Sequence, residues 1–541
     1  MRERGTIQKI AFFTVKNNFW EMNHMATHNP ILLQSSIKDR KWLRHTLLSK
    51  NALLLGIFFL ILSPALYISP FKAYISLLVA LGILLMYIMG LIIVRKKAKY
   101  LPIYVMLISA FIPSPIIGFV GVTIGVILFF INRPPENLDR FTKLVFLFVG
   151  FLTLTWLVHL GYTTDVWCLP LYLVSFCSYI LVAVFAQWAR WTPRELNRLA
   201  QLWILYIALQ ALPMFIKPLT IGEASLIFRT SDHHTGTLAG AHYNGVLLSI
   251  FIIFLVLLSI EKRNWSYVWL VGVYTFLFYI TATYHAILAM IPPAIGIGAL
   301  CYLNSARKRK VTYLFIFSFI FILLLGSAFL SSSFRQFISS PFKQFNRIVW
   351  SPYVINPANP KTILFQRTTI QLLHNGLNFV TGLGPGGYAS RVASSRALGT
   401  LDKEFYELPS FIPPYTSPEY GKAVAGLYTY QIRQMLLSRS NLMSYPFSSL
   451  VGIWGELGII GTVILVSIYV VVAKVSYRIW RADKSPVWRA FGGTALFAVL
   501  YLWALALFDS YMEQPSVMIP FWILFLLAFL RNHLLLCRKN N

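Results

Sequence analysis

SYPFSSLVGIWGELGIIGTVILV, Ser444 to Val466, sets a single carboxylate, Glu456, among Gly455, Gly458 and Gly461 inside an otherwise apolar run. Continued to about residue 474, such a run crosses a hydrocarbon core of roughly 30 Å as a helix. Similar runs recur from Leu53 onward. Of the 541 residues 57% are hydrophobic, 16% aromatic and only 12% charged, and the mean hydropathy is +0.65. The chain therefore reads as an all-α polytopic membrane protein, and a string of soluble domains is excluded.

Lys and Arg number 47 against 18 Asp and Glu, a formal charge of +29. In a soluble protein that balance points to nucleic acid. Here it follows from topology, because cytoplasmic loops of membrane proteins collect Lys and Arg and face anionic headgroups, so no nucleic-acid partner is expected. The basic segments KDRKWLRH, RKKAK, ARWTPRELNR, EKR, ARKRK, YRIWRADK and the C-terminal RK then share one side. Spans pair up between them: 53–69 with 73–94, 144–162 with 167–187, 198–216 with 244–260, 266–282 with 284–303, 311–330 with 449–474, and 490–509 with 516–534. Pro113 and Pro115 interrupt 101–131, which is either one kinked span or two short ones. Parity favours two, giving about fourteen helices (about thirteen otherwise) with both termini cytoplasmic. Residues 1–50 form a basic cytoplasmic segment without a cleavable signal, and the first span serves as the targeting signal.

The organisation expected is that segment, a bundle over 51–330 with an outward loop at 217–243, a large outward loop at 331–447, and closing spans over 448–541. The large loop carries eleven Lys and Arg against four acids, an excess of seven on the side where basic residues are disfavoured. An anionic substrate accounts for that excess; contact with outer-leaflet headgroups is the alternative. Within it, Ile363–Leu373 has the apolar spacing of a helix lying along a membrane surface, and Ala423–Leu437 reads as a second helix.

Gly382, Gly384, Gly386 and Gly387 invite comparison with phosphate-gripping loops. No Lys-Ser/Thr follows them and no strand precedes them, so neither nucleotide fingerprint applies. The bland alternative is a turn that packs a surface helix back on the bundle. Glu456 is either a functional intramembrane carboxylate or one satisfied by a backbone amide or an arginine. Asp232, His233, His234 and His242 offer nitrogen and oxygen ligands, but adjacent histidines do not readily bind one ion from a single backbone direction, so no metal is expected. Arg229 is sharper, since a guanidinium grips phosphate through two parallel bonds and stays charged near lipid. No Asp-x-Asp, Gly-x-Ser-x-Gly or His-Glu-x-x-His occurs, which removes metal-held nucleotide-sugar chemistry and the common hydrolases. The four cysteines, Cys168, Cys177, Cys301 and Cys537, lie in or beside apolar runs and read as small hydrophobes.

In order, these pieces resemble the polytopic O-antigen ligase and polysaccharide polymerase family. Arg229 with Gly236 and Asn244, Arg367 ahead of GLGPGGY (382–388), and FSSLVGIWGELGIIG (447–461) match its sequence of motifs. The motif match covers roughly 220–470 and the topology covers the whole chain. The chain departs from the family where a His-Asn pair is expected, at Phe447 and Ser448, and where Ser-Arg is expected, at Thr283 and Tyr284, which His285 follows.

The resemblance implies a metal-independent glycosyltransferase with a GT-C-like fold and no cofactor. It moves glycan from a polyprenyl-diphosphate carrier to an acceptor glycan hydroxyl at the outer face of a bacterial cytoplasmic membrane. Arg229 and Arg367 are the expected diphosphate clamp, supplemented by Arg391, Arg433 and Arg439, and His374, Glu419 and Glu456 are the candidate bases. Flippase and chain-length regulator proteins are expected partners beside the lipid bilayer. An O-antigen ligase with the same donor is the close alternative, and a lipid-linked sugar transporter the rival from another class.

Overall fold

The computed structural model describes residues 134–136, 138–189, 191–211, 214, 241–262, 267–281, 283–303, 360–398, 400–402, 406–407, 412–425, 427 and 448–540. The expected spans 53–69, 73–94, 101–131 and 311–330 lie outside them, as does most of the outward loop 217–243. The described bundle consists of α1 (Arg140–His159), α2 (Cys168–Gln187), α3 (Pro193–Leu209), α4 (Ala241–Lys262), α5 (Val268–Ile280) and α6 (Tyr284–Leu303). After the surface helices α7 (Pro360–His374), α8 (Gly376–Thr381) and α9 (Arg391–Leu398) it closes with α10 (Ser449–Ala482), α11 (Pro486–Ala506) and α12 (Pro515–Asn540).

Among the described residues six helices are long and apolar enough to cross a membrane: α1, α2, α4, α10, α11 and α12, as expected of a helical membrane protein. The expected span 266–282 is only the 13 residues of α5, about 20 Å of helix and short of a bilayer core. One element departs from the all-helical expectation, an antiparallel ribbon of β1 (Thr400–Asp402) and β2 (Tyr406–Glu407).

Local chemistry sets several helix starts. The Asp139 carboxylate accepts the Thr142 N–H at 3.1 Å ahead of α1. At α3, Thr192 and Glu195 form a reciprocal capping box with Pro193 in the first turn. α2 widens into a π-turn at Leu173–Cys177, after which the Tyr179 hydroxyl donates to the Met512 carbonyl at 2.5 Å.

α4 is the central helix, with every side chain from Val246 to Leu258 buried. Around it Trp203, Phe251, Phe254 and Phe491 interlock with ring centroids 4.8–6.2 Å apart. α10 and α11 approach at backbone distance, since a Cβ on Gly492 would stand 2.7 Å from the Trp480 nitrogen. A separate small core under the surface helices joins Leu364, Leu372, Leu383, Tyr388, Tyr420 and Val451.

The bundle has two chemically different ends. At one, Arg489 pairs with Glu261 at 2.6 Å, and Arg531 holds Asp483 by two bonds of 2.5 and 2.9 Å. At the other, the end of α1, the starts of α2, α4 and α10, and the α11–α12 connection meet the surface helices and the turn between them, and the start of α6 meets that connection.

Candidate functional site

The glycine turn binds an anion, and the anion is Glu456. Its Oε2 accepts the Gly386 N–H at 2.7 Å, and its Oε1 accepts those of Tyr388, Ala389 and Ser390 at 2.9, 3.0 and 2.9 Å. Successive N–H groups facing inward make the concavity expected of an anion nest. The main chain follows suit: Leu383 N–H donates to the Gly455 carbonyl at 2.8 Å and Gly384 N–H to the Glu456 carbonyl at 3.1 Å. Those carbonyls are available because α10 breaks at Gly458, with φ 57° and ψ −161°. Gly458 and Gly382 (φ 77°) cross here, and a Cβ on Gly382 would lie 2.3 Å from the Glu456 carbonyl carbon. Only glycine fits at either position.

The outer face of the turn is equally occupied. Thr163 Oγ1 donates to the Leu383 carbonyl and Ser417 Oγ to that of Gly387, each at 2.5 Å. The Tyr388 ring lies against Gly455, and its hydroxyl meets Thr368 Oγ1 at 3.0 Å. Burial pushes that phenol up to about 12. Glu456 is therefore an anchor with both oxygens satisfied.

The other expected residues divide by neighbourhood. Glu419 is buried and accepts from the Tyr162 hydroxyl at 3.2 Å and from the Gln371 amide, with Lys422 Nζ 3.8 Å away. Arg367 is exposed and donates to the Ala423 carbonyl at 2.9 Å. His374 is exposed in the last turn of α7. Arg229, Arg433 and Arg439 lie outside the described residues. Of the expected second helix, only the π-turn Gly421–Ala425 and Leu427 are described.

Arg391 enters a polar cluster that sequence reasoning did not assemble. Its backbone N–H donates to Glu513 Oε2 at 2.6 Å, and its guanidinium donates to the Tyr243 hydroxyl at 3.3 Å. Tyr243 packs on His242 at 4.0 Å between ring centroids and on Tyr511 at 6.1 Å. Tyr511, fully buried, hydrogen-bonds His285 Nε2. The connection bearing Tyr511 and Glu513 is pinned beforehand: Ser448 Oγ donates to Ala506 O at 2.7 Å, and Ser449 Oγ accepts Met512 N–H at 3.0 Å. Burial, and next the charge of Glu456, push the Glu513 carboxyl up to about 8. The sequence signal for this cluster was Asp509 and Glu513 in a very short link between two apolar runs, where acids are costly to keep.

A buried ion pair holds α9 in place. Arg396, with no exposure, forks onto Asp165 through Nη1 at 2.9 Å and through Nη2. Asp165 also caps the start of α2 by accepting the Trp167 and Cys168 N–H groups at 3.0 and 3.1 Å. Among the described residues no cluster of His, Cys, Asp and Glu is arranged to hold a metal ion. No protein-family model matches this chain, and no curated protein is significantly similar to it.

Proposed function

We propose that the chain is a GT-C-type glycosyltransferase of about fourteen spans that polymerises polyprenyl-diphosphate-linked repeat units at the outer face of a bacterial cytoplasmic membrane, with both termini inside. The supporting observation is convergence. GLGPGGY wraps the carboxylate of GELGIIG, and Arg391, just past that turn, reaches Tyr243 beside Asn244 at the start of α4. Two of the stretches matched to the family by their order, and the Asn244 end of the third, lie together at one end of the bundle.

In this reading the acceptor hydroxyl oxygen forms a bond to the anomeric carbon while the bond from that carbon to the diphosphate oxygen breaks. The electron pair leaves on the diphosphate and the hydroxyl proton passes to a base. Fixed cations facing the departing diphosphate stabilise the growing charge. Arg391 serves this role from within the cluster, with Arg367 and Arg229 completing the clamp. Glu456 acts as a positioning residue, which leaves His374 and Glu419 as proton acceptors.

The test supplies membranes containing the protein with the lipid-linked repeat and follows chain length. Arg391→Ala is expected to slow elongation by about 100-fold or more. Arg391→Lys should recover only part of it, because a point charge lacks the fork. Normal elongation by Arg391→Ala at normal protein abundance sinks the clamp. A single transferred block identifies a ligase, and translocated but unextended lipid a transporter.

A further inference from the structure

We propose that the outer edge of α7 and α8, formed by Ile370, Leu373, Leu377 and Val380, lies against lipid acyl chains, so that the bilayer surface meets the protein at the crossing of Gly382 and Gly458. The inference holds whether or not the chain transfers glycan. α10 has 34 residues, about 51 Å of helix, whereas the hydrocarbon core is roughly 30 Å. About two fifths of the helix therefore stands outside the hydrocarbon, part of it at the basic end with Arg478 and Arg481. Burial marks the rest, at the start of the helix. From Ser449 to Gly458 no side chain is exposed, and from Ile459 onward Ile459, Ile460, Val463, Val466 and Val470 all are.

α8 rests at that boundary, since a Cβ on Gly458 would stand 2.7 Å from the Val380 carbonyl oxygen. α1 exposes Leu154, Leu157 and Val158 up to the same level, where the His159 ring is 3.4 Å from Thr381 Oγ1. Exposed apolar side chains on the outer faces of two spans are thus followed by Ile370, Leu373, Leu377 and Val380 on α7 and α8, which cross nothing, with His374 and Asn375 exposed between the two leucines. Leu373 and Leu377 are 65% and 53% exposed, an apolar patch that a lipid boundary explains and an aqueous one does not. The rim beside it has interfacial character. Tyr162 is exposed, its hydroxyl held by Glu419; the exposed Lys422 stands next to that carboxylate and the exposed Arg367 reaches the Lys422 and Ala423 carbonyls, two cations suited to phosphate headgroups. The Glu456 cradle and the Arg391 cluster then sit at or above headgroup level, where a lipid-borne phosphate lies.

The experiment uses the full chain in phosphatidylethanolamine and phosphatidylglycerol vesicles, with a bimane fluorophore on Leu373→Cys or Leu377→Cys. Labelling of the unsubstituted chain is subtracted. Val463→Cys reports a span position and Lys422→Cys the wet rim. Nitroxide attached high on the acyl chain is expected to quench Leu373→Cys and Leu377→Cys strongly, Lys422→Cys weakly, and aqueous iodide to do the reverse. Quenching of the leucine positions by iodide but not by lipid nitroxide overturns the proposal. Protection from both quenchers also overturns it, because a second copy or a protein partner then covers the edge.

Discussion

Glu456 carries more of the local architecture than any other described side chain, because one carboxylate answers four backbone N–H groups in a loop rich in glycine. Glu456→Gln keeps the shape but turns an amide NH2 toward donors. We expect a loss of about 2–4 kcal/mol, read as a lower thermal midpoint in detergent and as new protease cleavage within 382–390. Gly458→Ala adds a Cβ 2.4 Å from the Gly382 nitrogen in a left-handed backbone. It should be at least as damaging by the same two measurements, whereas Gly150→Ala, where nothing lies within 4 Å, should be neutral. Glu513 supplies the pH dependence. Its carboxyl rises from 4.5 to about 8 on folding, so the folded chain holds a proton that the unfolded chain has released. This contribution is fully present below about pH 4.5 and is lost as pH rises through 8. The thermal midpoint should fall over that window, and Glu513→Gln should flatten the fall; an unchanged slope counts against it.

Among the elements, α9 has little apolar surface of its own and depends on Arg396. The guanidinium reaches Asp165, which also starts α2, so one ion pair registers a surface helix against a span. Asp165→Asn leaves a fully buried guanidinium without its counter-charge, and the expected cost is about 3–5 kcal/mol. The double change Asp165→Leu with Arg396→Met should recover part of that loss, measured by thermal unfolding of the purified protein. The amphipathic helix read at Ile363–Leu373 is present as part of α7, with Leu364, Thr368 and Leu372 inward. Periodicity located the helix, but of the apolar positions that carried it Ile370 and Leu373 face outward while Thr368 is buried. Spacing carries no information about a partner sixty-six or more positions away, so Glu456 was legible as an unusual residue while its four donors were not.

Across the whole molecule, α1, α2, α4, α10, α11 and α12 fall where the apolar runs of the sequence place spans. With the basic end inward, Lys422→Cys should react with an impermeant thiol reagent in intact cells and Lys484→Cys only after permeabilisation; the opposite pattern inverts the topology. The sequence by itself determined the helical membrane class, the places of the apolar helices, the glycine turn as a special backbone and Glu456 as a costly acid. These are properties of short windows, governed by hydropathy, period and the steric freedom of glycine. Only the tertiary structure decided that the turn grips that same acid, that Arg391 rather than Arg367 enters the polar cluster, and that Tyr243, His285, Tyr511 and Glu513 share it. Those groups come from separate helices and loops, and packing alone brings them to one end of the bundle.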